Sequence, residues 1–286
     1  MYKTIILFLL IFFFNTPIFA GSFLVNMGIS QLNTDANEIV YENSEKTSEL
    51  NWKVDSAYLI DLDLQYLFLN RFILNTNLKK NYNESNTNMT NHNYSSSTNT
   101  TYSDTTVKDV NLYDLNLKYL LYAIKNHIFF TQIGAKQETY KWEAKNNEGS
   151  PEISYEQDIS NIYLGLGIIS NLFSDLQMII NYNYSNNVKI EAYDIHHNRT
   201  TYGADYVTYS DHLEDGTMEE KNIAIYFMPS KTFSIYFAYN DTNYKTVKGY
   251  TDINFVGTSR SGSTKAETAG ANNKSTFYKI GLRYFF

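Results

Sequence analysis

Residues 113–121 read Tyr113, Asp114, Leu115, Asn116, Leu117, Lys118, Tyr119, Leu120 and Leu121. Successive side chains of a strand point to opposite sides, so Tyr113, Leu115, Leu117, Tyr119 and Leu121 share one face. Asp114, Asn116 and Lys118 share the other. A helix would mix the two sets. The same period recurs along the chain: Ile60, Leu62, Leu64 and Tyr66 alternate with Asp61, Asp63 and Gln65, and Ile162–Ile168 alternate with Tyr163, Gly165 and Gly167. Leu176, Met178, Ile180, Tyr182 and Tyr184 alternate with Gln177, Asn181 and Asn183. Phe233, Ile235, Phe237 and Tyr239 do so against Ser234, Ala238 and Asn240. Period two with an aromatic-rich apolar face predicts strands throughout.

The connections choose between a soluble sandwich and a membrane barrel. Short turns are expected at 68–71, 123–127, 170–175 and 229–231, and polar stretches at about 33–52, 83–107, 143–158, 191–220 and 247–274. Strict alternation of short and long connections is the pattern of an outer-membrane barrel, with short periplasmic turns and long outer loops. Counting predicts an all-β, ten-stranded antiparallel transmembrane barrel with both termini in the periplasm. Tyr278, Ile280, Leu282, Tyr284 and Phe286 carry the alternation to the last residue, as bacterial outer-membrane barrels do. Closure has a plain cause: in lipid every backbone N–H and C=O must find a partner within the protein. Several strands exceed the roughly 9–11 residues needed to cross, so the barrel is expected to extend beyond the outer leaflet.

Composition agrees. The 286 residues include 26 Tyr, 18 Phe, three Pro and no Cys. So few prolines with so many aromatics argue against disorder. The missing cysteines exclude disulfides, thiolate metal sites and a cysteine nucleophile. Residues 1–20 (MYKTIILFLLIFFFNTPIFA) read as a signal peptide: Lys3, an apolar run from Ile5 to Phe14, then Pro17 and Ala20 near a cleavage site. The barrel domain is then 21–286. Without Lys3, 22 basic residues face 30 acidic ones, a net charge of −8 (the whole chain carries −7). That acidity argues against nucleic acid as a partner.

The 83–107 stretch is nearly all Asn, Ser and Thr and reads as a solvated loop. His92, His196, His197 and His212 fall in the predicted outer loops, but with Asp194 or Asp211 they match no known metal-ligand spacing, and no metal is expected. Asp61 and Asp63, a paired-carboxylate pattern, sit well down a strand and read as structural; with Asp114, Lys118, Lys279 and Arg283 they are expected to plug the lumen with charge networks. Asp194-Ile195-His196 is the group with chemistry. On an extended strand residues i and i+2 point the same way, so a carboxylate lies beside an imidazole, fixes its tautomer and raises its basicity.

Several segments resemble one family, the omptins, ten-stranded outer-membrane endoproteases of Gram-negative bacteria. Ser48-Glu49-Leu50-Asn51-Trp52-Lys53 resembles their S-x-L-[DN]-W-K stretch, Tyr113–Lys118 their fourth strand, and Gly134–Trp142 their fifth. Asp194-Ile195-His196 falls where omptins carry their catalytic Asp-x-His. The matches run in order through most of the mature chain. The resemblance implies hydrolysis by water that an Asp-His dyad activates, opposite a second acidic pair, with an acidic pocket for a basic P1 residue and no cofactor.

Carried over, Asp194 and His196 match the dyad. Asn88-Met89-Thr90-Asn91-His92-Asn93-Tyr94 resembles the family's N-M-x-D-x-D-W, so the facing pair reads as Asn91 and Asn93. Glu38, in Glu38-Ile39-Val40-Tyr41, matches an acid of the P1 pocket; the second pocket acid falls at Ala192, with Glu191 beside it. Asparagine can bond a water but cannot carry its charge or share its proton. The implied partners are outer-membrane lipid, lipopolysaccharide included, and a polypeptide substrate or host surface ligand. The family's lipopolysaccharide cluster, however, reads Ala135, Gln137 and Thr139 here. Two functions follow: a surface endopeptidase, or a catalytically silent barrel serving as adhesin or scaffold. A diffusion pore is the weaker third, since ten strands enclose a lumen that side chains fill.

Overall fold

A computed structural model describes residues 22–42, 45–94, 97–145, 149–197, 204–257 and 261–286; the leader expected at 1–20 lies outside the described residues. The strands are β1 (Ser22–Glu42), β2 (Glu45–Phe68), β3 (Phe72–Asn81), β4 (Ser85–Asn93), β5 (Thr98–Ile124), β6 (His127–Lys145), β7 (Pro151–Phe173), β8 (Leu176–His197), β9 (Tyr206–Phe227), β10 (Phe233–Val256) and β11 (Gly262–Phe285). Each neighbour pairs antiparallel, and β1 bonds both β2 and β11, with Leu24 opposite Phe285. β3 and β4 occupy one place in the ring, each between β2 and β5. Eleven segments therefore make a closed ring of ten strands.

The short turns lie where the sequence placed them, at 69–71, 125–126, 174–175 and 228–232. The polar stretches differ from expectation. They are the halves of the strands away from the short turns, not loops: His92, His196 and His212 all sit on strands. Bending two strands of 20 or more residues into a hairpin satisfies backbone groups in water as well as in lipid, so polarity alone did not end them.

Ile60, Leu164, Leu166, Ile180, Ile225, Phe237 and Ile280 are exposed on the lower outer face, with Tyr58, Tyr113, Tyr184 and Tyr278 toward its upper limit. This is a lipid-facing belt with an aromatic rim. Inside the belt the barrel is polar. Lys279 Nζ lies 2.7 Å from Asp61, which also accepts from Ser30 (3.0 Å) and Asn77 (2.9 Å). Arg283 Nε donates to Asn26 (2.7 Å), Tyr163 donates to Asp114 (2.8 Å), and Lys136 pairs with Glu220. Beside them lies a cavity of about 160 Å³, lined among others by Asn77, Asp114, Lys136, Tyr163, Glu220 and Lys279.

The apolar core lies above the belt. Leu32, Trp52, Val54, Met89, Val107, Tyr140, Trp142, Ile153, Tyr155, Ile190 and Leu213 are buried there. Tyr140, Tyr155, Tyr163, Tyr236 and Tyr244 also point inward and are buried.

Candidate active site

Asp194 and His196 sit near the C-terminal end of β8, ten residues or more beyond Tyr184 of the rim, and both face inward. Register fixes this: Asp194 lies opposite Tyr155 of β7 and Tyr209 of β9, while His196 lies opposite Ile153 and Val207, both buried. His196 Nε2 is 2.5 Å from Asp194 Oδ2. The Asp194 side chain is 2% exposed and that of His196 12%, so the imidazole is the member within reach of solvent. The Tyr209 ring meets the imidazole edge-on at 5.0 Å.

A second row of cross-strand partners runs Glu38 (β1), Leu50 (β2), Asn91 (β4) and Thr100 (β5). Leu50 and Glu38 are buried, so Asn91 shares their inward face, and Asn93, two residues on, points the same way. Asn91 Oδ1 is buried with no hydrogen-bond partner. Neighbouring strands lie roughly 4.8 Å apart, which puts Asn91 about 10 Å along the wall from Glu38.

An aromatic stack joins the two walls. Trp52, one inward step below Leu50, lies parallel to Tyr155 at 5.4 Å and 5.9 Å from Trp142; Tyr155 and Trp142 stack at 5.4 Å, and Tyr140 continues the pile at 5.5 Å. Tyr155 is the direct cross-strand neighbour of Asp194, so the stack forms an aromatic floor beside the dyad. No sequence pattern announced this floor, because Trp52 and Tyr155 meet across the barrel rather than along a strand.

The structure adds a carboxylate. Asp211 (β9) lies opposite Ala192 and beside Asp194 on the same face, and is buried. Thr251 of β10 donates to it at 2.5 Å. Burial and the charge of Asp194 push the Asp211 carboxyl up to about 7. Burial pushes Glu38 well above the usual carboxylate range, and Asp194 and Asp211 push it further. Glu38 Oε2 and Asp194 Oδ1 have no hydrogen-bond partner. Glu191, by contrast, points out of the barrel, on the face of His212 and Tyr250. The sequence offered Asp211 only as a metal-ligand candidate, and among the described residues no group of three His, Asp or Glu side chains is placed to hold a metal.

A closed barrel with a lipid belt below and an inward-facing carboxylate–imidazole pair above defines an outer-membrane β-barrel with a site at its mouth. The family model described as the Omptin family matches residues 20–286, and the chain belongs to that family. The fold is similar to that of the outer membrane protease OmpT from Escherichia coli, with TM-score 0.84, 19% identity, and 94% of this chain and 99% of that one covered. The outer membrane protein OprG from Pseudomonas aeruginosa gives TM-score 0.45 and 12% identity over 93% and 96% of the two chains. No curated protein matches in sequence.

Proposed function

We propose that the protein, freed of a leader at 1–20, is an endopeptidase of the bacterial outer membrane with its dyad end facing the cell exterior, cutting polypeptides at basic residues. The observation that carries this is the 2.5 Å contact between His196 and buried Asp194 at the barrel mouth. Asp194 holds the imidazole and stabilises its positive charge; His196 takes a proton from water as that water attacks the scissile carbonyl, and returns it to the leaving amine. Asn91 and Asn93 on the other wall position the water without sharing its charge. Glu38 receives a cationic side chain.

One observation favours a second reading, the silent barrel acting as adhesin or scaffold: the family's facing acids are Asn91 and Asn93 here. One experiment separates the two. The mature chain is refolded in detergent with lipopolysaccharide and incubated with dibasic peptides. Cleavage that falls about 10²–10⁴-fold in His196→Ala supports the peptidase. An inert wild type whose Asn91→Asp/Asn93→Asp variant cleaves establishes the silent barrel and the same site. If neither cleaves, the peptidase reading is wrong.

A further inference from the structure

We infer that Asp211 is a positioning residue of the dyad: a second carboxyl that hydrogen-bonds the free oxygen of Asp194 and, through it, sets the basicity of His196. The inference deepens the peptidase reading, and its consequence for cleavage rests on that reading.

The dyad is incomplete on one side. Asp194 Oδ2 meets His196 Nε2, but Asp194 Oδ1 is buried with no hydrogen-bond partner. A buried carboxylate oxygen left unpaired is costly, so a donor is called for there. Register points to the neighbour that can supply one. Ala192 lies opposite Asp211 and Asp194 opposite Tyr209, so Asp194 and Asp211 are diagonal partners on the inward face of β8 and β9. Diagonal Cβ atoms lie roughly 7 Å apart, which two carboxyl groups turned toward each other can span. Thr251 of β10 donates to Asp211 Oδ1 from the far side, so Oδ2 is the oxygen free to turn toward β8.

Such a contact needs a proton, and the surroundings keep one. Asp61 has Lys279 and Glu220 has Lys136, but among the described residues the one basic group paired with Asp194, Asp211 or Glu38 is His196. Two buried carboxyls side by side without a cation share one proton rather than both ionise. Burial and the charge of Asp194 hold that proton on Asp211 up to about pH 7. The titratable groups facing Asp211 are Asp194 and His196 of β8, Glu38 of β1 and the Tyr155 hydroxyl of β7, while β10 presents Thr251.

The consequence runs outward to the imidazole. At lower pH Asp211 donates to Asp194 Oδ1, which fixes that carboxylate, and Oδ2 in turn fixes the ring. As pH rises the shared proton leaves, a second negative charge stands beside the dyad, and His196 holds its own proton more tightly. The facing wall carries Asn91 and Asn93, so this second acid comes from the dyad's own wall.

The test is a carbon-13 NMR pH titration of the His196 ring, labelled at Cε1, in the refolded full-length barrel in detergent. His196→Ala identifies the signal. Wild type should titrate in two coupled steps. Asp211→Asn keeps a donor for Asp194 and an acceptor for Thr251 but carries no charge. Its curve should lose the upper step and move to lower pH by half a unit or more. Glu191→Gln, which removes an acid facing out of the same wall, should leave the curve in place. Where the barrel cuts peptides, the acid limb of kcat/KM should move with the ring signal. Asp211→Leu, with no donor, should lose about tenfold or more, and Asp211→Asn should retain activity below about pH 7. Heat-modifiable gel mobility checks that each variant is folded, and the wild-type curve stands as a test even if Asp211→Asn does not fold. A single wild-type step, or an Asp211→Asn curve that coincides with wild type or is matched by Glu191→Gln, overturns the inference. The peptidase reading fails separately: a barrel whose ring signal responds to Asp211 but which cuts no peptide has the coupling without the chemistry.

Discussion

Asp211 shows what a single buried carboxyl does to this barrel. Its folded value of about 7 stands above the ordinary 3.8, so between roughly pH 4 and 7 the unfolded chain gives up the proton while the folded one keeps it. The unfolded state then binds fewer protons, and stability falls as pH rises through this window. Asp211→Asn removes the charge and keeps an acceptor for Thr251. The variant should match wild type near pH 4 and exceed it by on the order of a few kcal/mol at pH 8, read from denaturant midpoints in detergent. A gap of the same size at both pH values would show that charge burial is not the cause. The sequence announced Asp194 and His196 through their i, i+2 spacing but offered Asp211 only as a metal-ligand candidate. Its place opposite Ala192 depends on β8–β9 register shifts between Ser185 and Ile190, and a slip of one residue would turn it outward.

At the scale of the element, the break between β3 and β4 is the point where strand logic needs help. Asn81 bridges it: Nδ2 donates to the carbonyls of Asn83 (3.0 Å) and Lys108 (3.3 Å), and Oδ1 accepts from Val110 N–H (2.8 Å). The side chain thus replaces ladder bonds that the chain loses at residues 82–84. Asn81→Ala should strand buried backbone groups and cost about 1–3 kcal/mol, with loosening confined to β4 and the wall carrying Asn91. Hydrogen exchange should quicken in 85–93 and leave β8 unchanged; exchange rising equally in both would refute a local role. Gly249 marks a matching constraint on the other side of the mouth, where a Cβ would lie 1.9 Å from the His212 carbonyl oxygen. β9 and β10 meet there at backbone distance, one residue from Asp211. The lower halves of the strands were legible because lipid demands an apolar outer face. The upper halves, rich in Asn, Ser and Thr, read as loops because water makes no such demand.

Across the whole molecule the usual layering is inverted, with a polar interior inside lipid and an apolar interior outside it. Side chains facing the bilayer supply the apolar surface, which frees the lumen to be charged. Lys279 and Asp61, the latter fully buried, anchor that lumen. Lys279→Met should leave Asp61 without its cation and lower stability by about 3–5 kcal/mol. Adding Asp61→Asn should recover much of the loss, measured as the temperature at which the folded gel band disappears. No recovery would mean that the pair acts through packing rather than charge.

The sequence by itself determined the ten-strand count, the side of each lower strand that meets lipid, and the adjacency of Asp194 and His196. All three follow from the two-residue period of an extended chain, which is a local property. Only the tertiary structure decided that Trp52 reaches Tyr155, that Glu191 turns away while Asp211 turns in, and that Glu38 shares a cluster with both aspartates. Those relations cross the barrel or hang on a bulge, and neither closure nor register shift is written in the residues they bring together.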